Sequence, residues 1–172
     1  MVAFGLAPSL VMYLWVMQGL GKFGWLAAFV YTAAAALRLA RFNTQIETAD
    51  KRYFQGLPSP AAAAVLAGSI WIAVDNQLNV EFLAYPAAIL TIVTGLLMVS
   101  NARYNSFKEF DARDRIPFIA LVVIMLGFAV FALNPPTVLF LGFMLYVISG
   151  PAMTLIKLKE RRAERRGSSD PN

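Results

Sequence analysis

Six long apolar stretches separated by short polar connections dominate the pattern along this chain. They run from Met1 to Gln18, Phe23 to Ala40, Ser59 to Val74, Phe82 to Ser100, Ile116 to Leu133 and Pro136 to Ile156. Each reaches or approaches the roughly 20 apolar residues that a helix needs to cross a bilayer, Ser59 to Val74 being the shortest. The pattern predicts an all-α integral membrane protein. Residues 1–156 form a bundle of six transmembrane helices and residues 157–172 a basic cytoplasmic tail. A hydrophobic fraction of 59% and a mean hydropathy of +0.61 leave too little polar sequence to clothe a soluble core.

The basic residues sort by connection. Arg38, Arg41, Lys51 and Arg52 lie between the second and third stretches, and Arg103, Lys108, Arg113 and Arg115 between the fourth and fifth. Lys157, Lys159, Arg161, Arg162, Arg165 and Arg166 follow the sixth, and of the fifteen Lys and Arg only Lys22 falls in an odd-numbered connection. Basic flanks resist translocation, so the even-numbered loops and the C-terminus are expected in the cytoplasm of a multi-pass inner-membrane protein. Gly19 to Lys22, Asp75 to Glu81 and Asn134 to Pro135 then face outward, and Met1 starts at the cytoplasmic surface. Apolar sequence begins at Met1 with no basic region before it, so the chain reads as cut rather than begun. Lys157 to Arg166 are expected to extend the sixth helix up to Gly167, with Ser168 to Asn172 disordered.

Composition removes several functions. Without Cys or His there is no thiolate or imidazole metal site and no Cys nucleophile. A net charge of +5 is accounted for by topology and by attraction to anionic headgroups, so nucleic acid is not expected as a partner. Apart from Arg38 near a helix end the spans hold no ionisable side chain, which argues against a proton relay or ion carrier. No inverted repeat or charged midplane position marks a transporter.

Chemistry is therefore expected at the cytoplasmic interface, where three clusters stand out. Arg38 and Arg41 in RLARFN (38 to 43) are three apart on one helix face, a guanidinium pair suited to phosphate or carboxylate, or two arginines snorkelling at a boundary. Lys51-Arg52-Tyr53-Phe54-Gln55-Gly56-Leu57-Pro58-Ser59-Pro60 is a rigid lead into the third helix, which either stiffens that helix start or shapes a site. In the stretch from Asn101 to Arg115 the carboxylates Glu109, Asp111 and Asp114 interleave with Lys108, Arg113 and Arg115. That reads as a solvated ion-pair surface rather than a metal site.

The ordered set MVAFGLAP at 1 to 8, RLARFN at 38 to 43, YFQGLPSPAAA at 53 to 63 and RYNSFKEF at 103 to 110 resembles the serine-accepting branch of the CDP-alcohol phosphatidyltransferase family, up to about Ile156. The resemblance implies phospholipid biosynthesis: transfer of the phosphatidyl group from CDP-diacylglycerol to L-serine, giving phosphatidylserine and CMP. It also implies a divalent metal, Mg or Mn, held by D-x-x-D-G-x-x-A-R and G-x-x-x-D-x-x-x-D. Neither pattern occurs in these residues, so no catalytic residue and no metal ligand is assigned here, and the chain alone is expected to be inactive. On the resemblance, Arg38, Arg41 and Asn43 are the expected substrate-binding residues. Lys51, Arg52, Arg103, Tyr104 and Lys108 are second-rank headgroup contacts. Membrane lipids are expected partners, and a homodimer is left open. Two alternatives stand: a sister transferase with another alcohol acceptor, and a non-catalytic lipid-binding or subunit-type membrane protein.

Overall fold

The computed structural model of the protein describes residues 1–44, 53–105 and 118–167. Six helices account for nearly all of the described residues: α1 (Val2–Leu20), α2 (Lys22–Thr44), α3 (Ser59–Asp75), α4 (Val80–Val99), α5 (Phe118–Leu133) and α6 (Pro135–Gly167). Two three-residue strands, β1 (Tyr53–Gln55) and β2 (Arg103–Asn105), lie in the connections after α2 and α4. The expected all-α bundle thus carries a small strand pair. Helices α1, α2, α4 and the Pro135–Thr154 part of α6 are long and apolar enough to cross a membrane. α3 and α5, with 17 and 16 residues, are shorter. At 1.5 Å per residue they reach about 25 Å, a little under the roughly 30 Å hydrocarbon core. α6 continues through the basic stretch to Gly167 as expected, while residues 168–172 lie outside the described residues.

The packing places small residues inside and large apolar ones outside. α2 buries Ala27, Ala28, Ala34 and Ala35 and exposes Trp25, Phe29 and Leu37; α4 buries Ala84, Ala87 and Ala88 and exposes Phe82, Tyr85 and Ile89. In lipid there is no hydrophobic force between helices, so close backbone approach and internal hydrogen bonds hold them together. Gly95 of α4 sits against α2, where an added Cβ would lie 3.1 Å from Tyr31 Cα. Gly5 of α1 faces Ala35, its Cβ position 2.9 Å from Ala35 Cβ. One helical turn further, Ser9 Oγ and Thr32 Oγ1 hydrogen-bond at 2.7 Å. Tyr31 donates to the Phe4 carbonyl at 3.1 Å, and Thr91 and Thr94 donate back to Ala87 and Leu90 within α4. Buried hydroxyls are thereby satisfied without water.

α1 is not a regular α-helix. Val2–Leu6 and Tyr13–Met17 are π turns and Gln18–Leu20 is a 3₁₀ turn, which together widen and then tighten the rod before Gly21 (φ 55°) reverses the chain. α3 packs along α6, where a Cβ added at Gly68 would lie 3.4 Å from Phe140 Cβ. α5 touches α6 and exposes large side chains such as Ile119, Met125 and Phe128.

Candidate functional site

The strand pair builds the site. β1 and β2 run antiparallel with Tyr53 opposite Asn105, Phe54 opposite Tyr104 and Gln55 opposite Arg103. Two basic connections, about 50 residues apart in sequence, therefore meet at one end of the bundle. Beyond β1 the chain folds tightly onto the end of α4. Gly56 adopts φ 78°, where an added Cβ would overlap the Met98 carbonyl oxygen. Gly56 N–H donates to Ala102 O at 2.8 Å, and the N–H of the fully buried Leu57 donates to Leu97 O at 3.0 Å. A carbonyl that α4 would otherwise leave open at its C-terminus is thus satisfied by the neighbouring connection.

Arg38 and Arg41 project from the last turns of α2 toward this junction, and their surroundings differ. Arg41 Nη2 donates to Gln55 Oε1 at 2.6 Å and to Asn101 Oδ1 at 2.8 Å, and Nη1 reaches Val99 O at 3.5 Å. It ties α2 to β1 and to the end of α4. Arg38 is half-buried, and Nη1 has one long bond, 3.3 Å, to Ser59 Oγ at the start of α3. Its Nε is buried without a hydrogen-bond partner. A buried cationic donor without an acceptor is costly, and it is the arrangement an anion relieves. Ser59 adds a hydroxyl. The N-cap of α3 is Pro58, which offers no side-chain acceptor to the first-turn N–H groups, so a positive helix end faces the same region.

Of the expected site residues, the structure brings Arg38 and Arg41 together. Asn43 is exposed, and two residues beyond Arg41 it stands about 200° further round α2, away from the pair. Arg103 lies in β2 opposite Gln55. Lys51, Arg52 and Lys108 lie outside the described residues. Tyr104, expected to contact headgroups, is instead fully buried. Its hydroxyl donates to Val147 O of α6 at 3.1 Å, and its ring is 5.4 Å from that of Tyr146. Burial, and next the neighbouring Tyr146, push the Tyr104 phenol up to about 12, so it remains a donor at any physiological pH.

Sequence reasoning passed over Gln55, Ser59, Asn101 and Tyr146. The first three sit inside stretches already singled out, where a polar residue beside a Gly or Pro turn is the available signal. Tyr146 lies in an apolar span and carries none. Its electrostatic reach to Arg38 depends on the packing of α6 against α3, the helix whose first residue, Ser59, bonds Arg38. The donor set does not fit a divalent cation: two guanidiniums, amide oxygens and a hydroxyl are present, and the described residues contain no cluster of three acidic, Cys or His side chains.

No family model matches the chain. Among curated proteins it is 33% identical over 156 residues to a CDP-diacylglycerol–serine O-phosphatidyltransferase of Helicobacter pylori, a match covering 87% of this chain and 61% of the relative. Proteins of the same name from Mycobacterium leprae (30% over 136 residues, 76% of this chain and 44% of the relative) and Bacillus subtilis (32% over 114 residues, 66% and 58%) also match. The chain therefore spans about three fifths of the length of the Helicobacter relatives.

Proposed function

This chain is a homologue of the CDP-diacylglycerol–serine O-phosphatidyltransferases, and from that premise we propose that the protein transfers the phosphatidyl group from CDP-diacylglycerol to L-serine. In this reaction the serine hydroxyl oxygen bonds to the phosphorus that carries diacylglycerol, the bond from that phosphorus to CMP breaks, and the hydroxyl proton is released. The observation that carries the reading is Arg38, a half-buried guanidinium whose Nε lacks a partner, beside Ser59 and the open end of α3. Both substrates bring anions, the diphosphate of one and the carboxylate of the other. Arg38 would hold such a group, and Arg41, already committed to Gln55 and Asn101, would keep the floor of the site in place.

In this reading all six helices cross an inner membrane, with residues 1–156 as the bundle. The strand pair and the basic tail, residues 157–172, lie at the cytoplasmic face where CDP-diacylglycerol presents its headgroup. The family's metal would belong to carboxylates that are not assigned to any residue here. The test is serine-dependent release of CMP from CDP-diacylglycerol, in membranes containing the product of the whole gene. Arg38→Met should lower kcat/KM on the order of 100-fold, as the loss of an oriented cationic donor does. Release that is equal without serine, or equal with another alcohol, refutes the serine assignment. A protein that binds lipid and releases no CMP favours the non-catalytic alternative.

A further inference from the structure

Between the strand pair and α6 lies a contact that anion binding does not by itself require. The Tyr104 ring is seated on α6 where residue 150 has no side chain: a Cβ there would overlap Cζ and both Cε atoms of the ring. The ring is fully buried, its hydroxyl is bonded to Val147 O one turn earlier, and Tyr146 flanks it at an interplanar angle of 42°. Three anchors on one helical turn fix the sheet against α6 as a key fits a slot.

Both arginines bond to groups on the sheet or close to it in the chain. Gln55, which accepts from Arg41, is in β1 beside Phe54, the residue paired with Tyr104. Asn101, its second acceptor, stands two residues before β2. Ser59, which accepts from Arg38, follows β1 by four residues across the rigid Gly56–Pro58 turn. Tyr146, against which Tyr104 packs, lies within electrostatic range of Arg38.

We propose that Tyr104 and Gly150 form a keyed joint that positions the arginine pair, so that the placement of α6 sets the geometry of the anion site. Tyr104 is a positioning residue: it acts through Gln55 and Tyr146 and is too deeply buried to touch substrate itself. The proposal rests on the functional reading above only for its activity readout.

The perturbing change is Gly150→Ala, which fills the slot. The control is Gly142→Ala on the same helix, where a Cβ meets nothing within 4 Å. The first readout is the side-chain ¹⁵Nε–H NMR spectrum of the protein in nanodiscs, with the Arg38 and Arg41 signals assigned by Arg→Lys exchange. Gly150→Ala should shift both signals and speed their solvent exchange at least tenfold, while Gly142→Ala leaves both in place. Should Gly150→Ala not fold, Tyr104→Leu, which empties the slot instead, is expected to move the same two signals.

The second readout is the KM for serine of the whole gene product. It should rise on the order of tenfold in Gly150→Ala, with a smaller change in kcat, since the acceptor is misplaced rather than the chemistry removed. Tyr104→Phe, which keeps the ring, should restore most of what Tyr104→Leu loses. Arginine signals and KM unmoved by a folded Gly150→Ala or Tyr104→Leu would overturn the joint. If the wild-type protein releases no CMP with serine, the functional reading fails while the arginine spectrum still decides the joint.

Discussion

Two arginines three residues apart on one helix should respond oppositely to the same substitution. Arg41→Met removes two short charge-assisted bonds, to Gln55 Oε1 at 2.6 Å and Asn101 Oδ1 at 2.8 Å, and a contact to Val99 O at 3.5 Å that lies at the limit of a hydrogen bond. At about 1 to 1.5 kcal/mol for each short bond, discounted because the group is partly exposed, the loss is about 2 kcal/mol. Arg38→Met removes a single 3.3 Å bond and with it a buried Nε that has no partner. Losing the bond costs roughly 1 kcal/mol, and relieving the stranded donor returns about 1 to 3 kcal/mol, so the variant should be as stable as the wild type or slightly more stable. The assay is reversible denaturant unfolding in mixed micelles, followed by helical circular dichroism, with and without phosphoserine as an anion probe. The probe should stabilise wild type and Arg41→Met but not Arg38→Met. If Arg38→Met proves as destabilising as Arg41→Met, Arg38 is a structural tie and the anion-site argument fails.

The close approaches and the topology can be tested independently. Gly95→Leu, driven against the Tyr31 backbone, should destabilise the α2–α4 interface by about 2 to 3 kcal/mol in the same unfolding assay; a neutral result would mean that the helices stand further apart. Gly56→Ala forces a side chain to φ 78° and onto the Met98 carbonyl, and should cost at least about 2 kcal/mol; unchanged stability would contradict the turn. Because the folded Tyr104 phenol titrates near 12 against an ordinary 10, its contribution is complete below pH 10 and is lost as pH rises toward 12. Tyr104→Phe should therefore flatten the alkaline fall in stability over that window, and an identical fall in both proteins would remove Tyr104 as its source. The absence of cysteine makes single-Cys labelling clean: a Cys at Asn101 should react with an impermeant maleimide only after the inner membrane is opened, and one at Gln77 before. The reverse pattern would invert the topology.

How much of this was legible beforehand depended on the range of the force involved. The helices were readable because hydropathy over about 20 residues and the thickness of a bilayer act locally, and the boundaries Ser59–Asp75 and Phe118–Leu133 lie within two residues of those expected. The common end of the basic connections followed from charge, and the pairing of β1 with β2 agrees with it. The π turns of α1 had no local signature; one of them, Val2–Leu6, sets Gly5 against Ala35 of α2, a contact between distant residues.

At the site, spacing placed Arg38 and Arg41 on one face, and the resemblance to a family of anion-handling enzymes chose the region. The residue sequence by itself determined which end of the bundle is cationic. Only the tertiary structure distinguished the arginine that is tied from the one left open, and turned Tyr104 inward onto Gly150. Those outcomes depend on a strand pair only three residues long whose partners lie about 50 residues apart, and a pairing so brief and so distant leaves no periodicity in the chain to read.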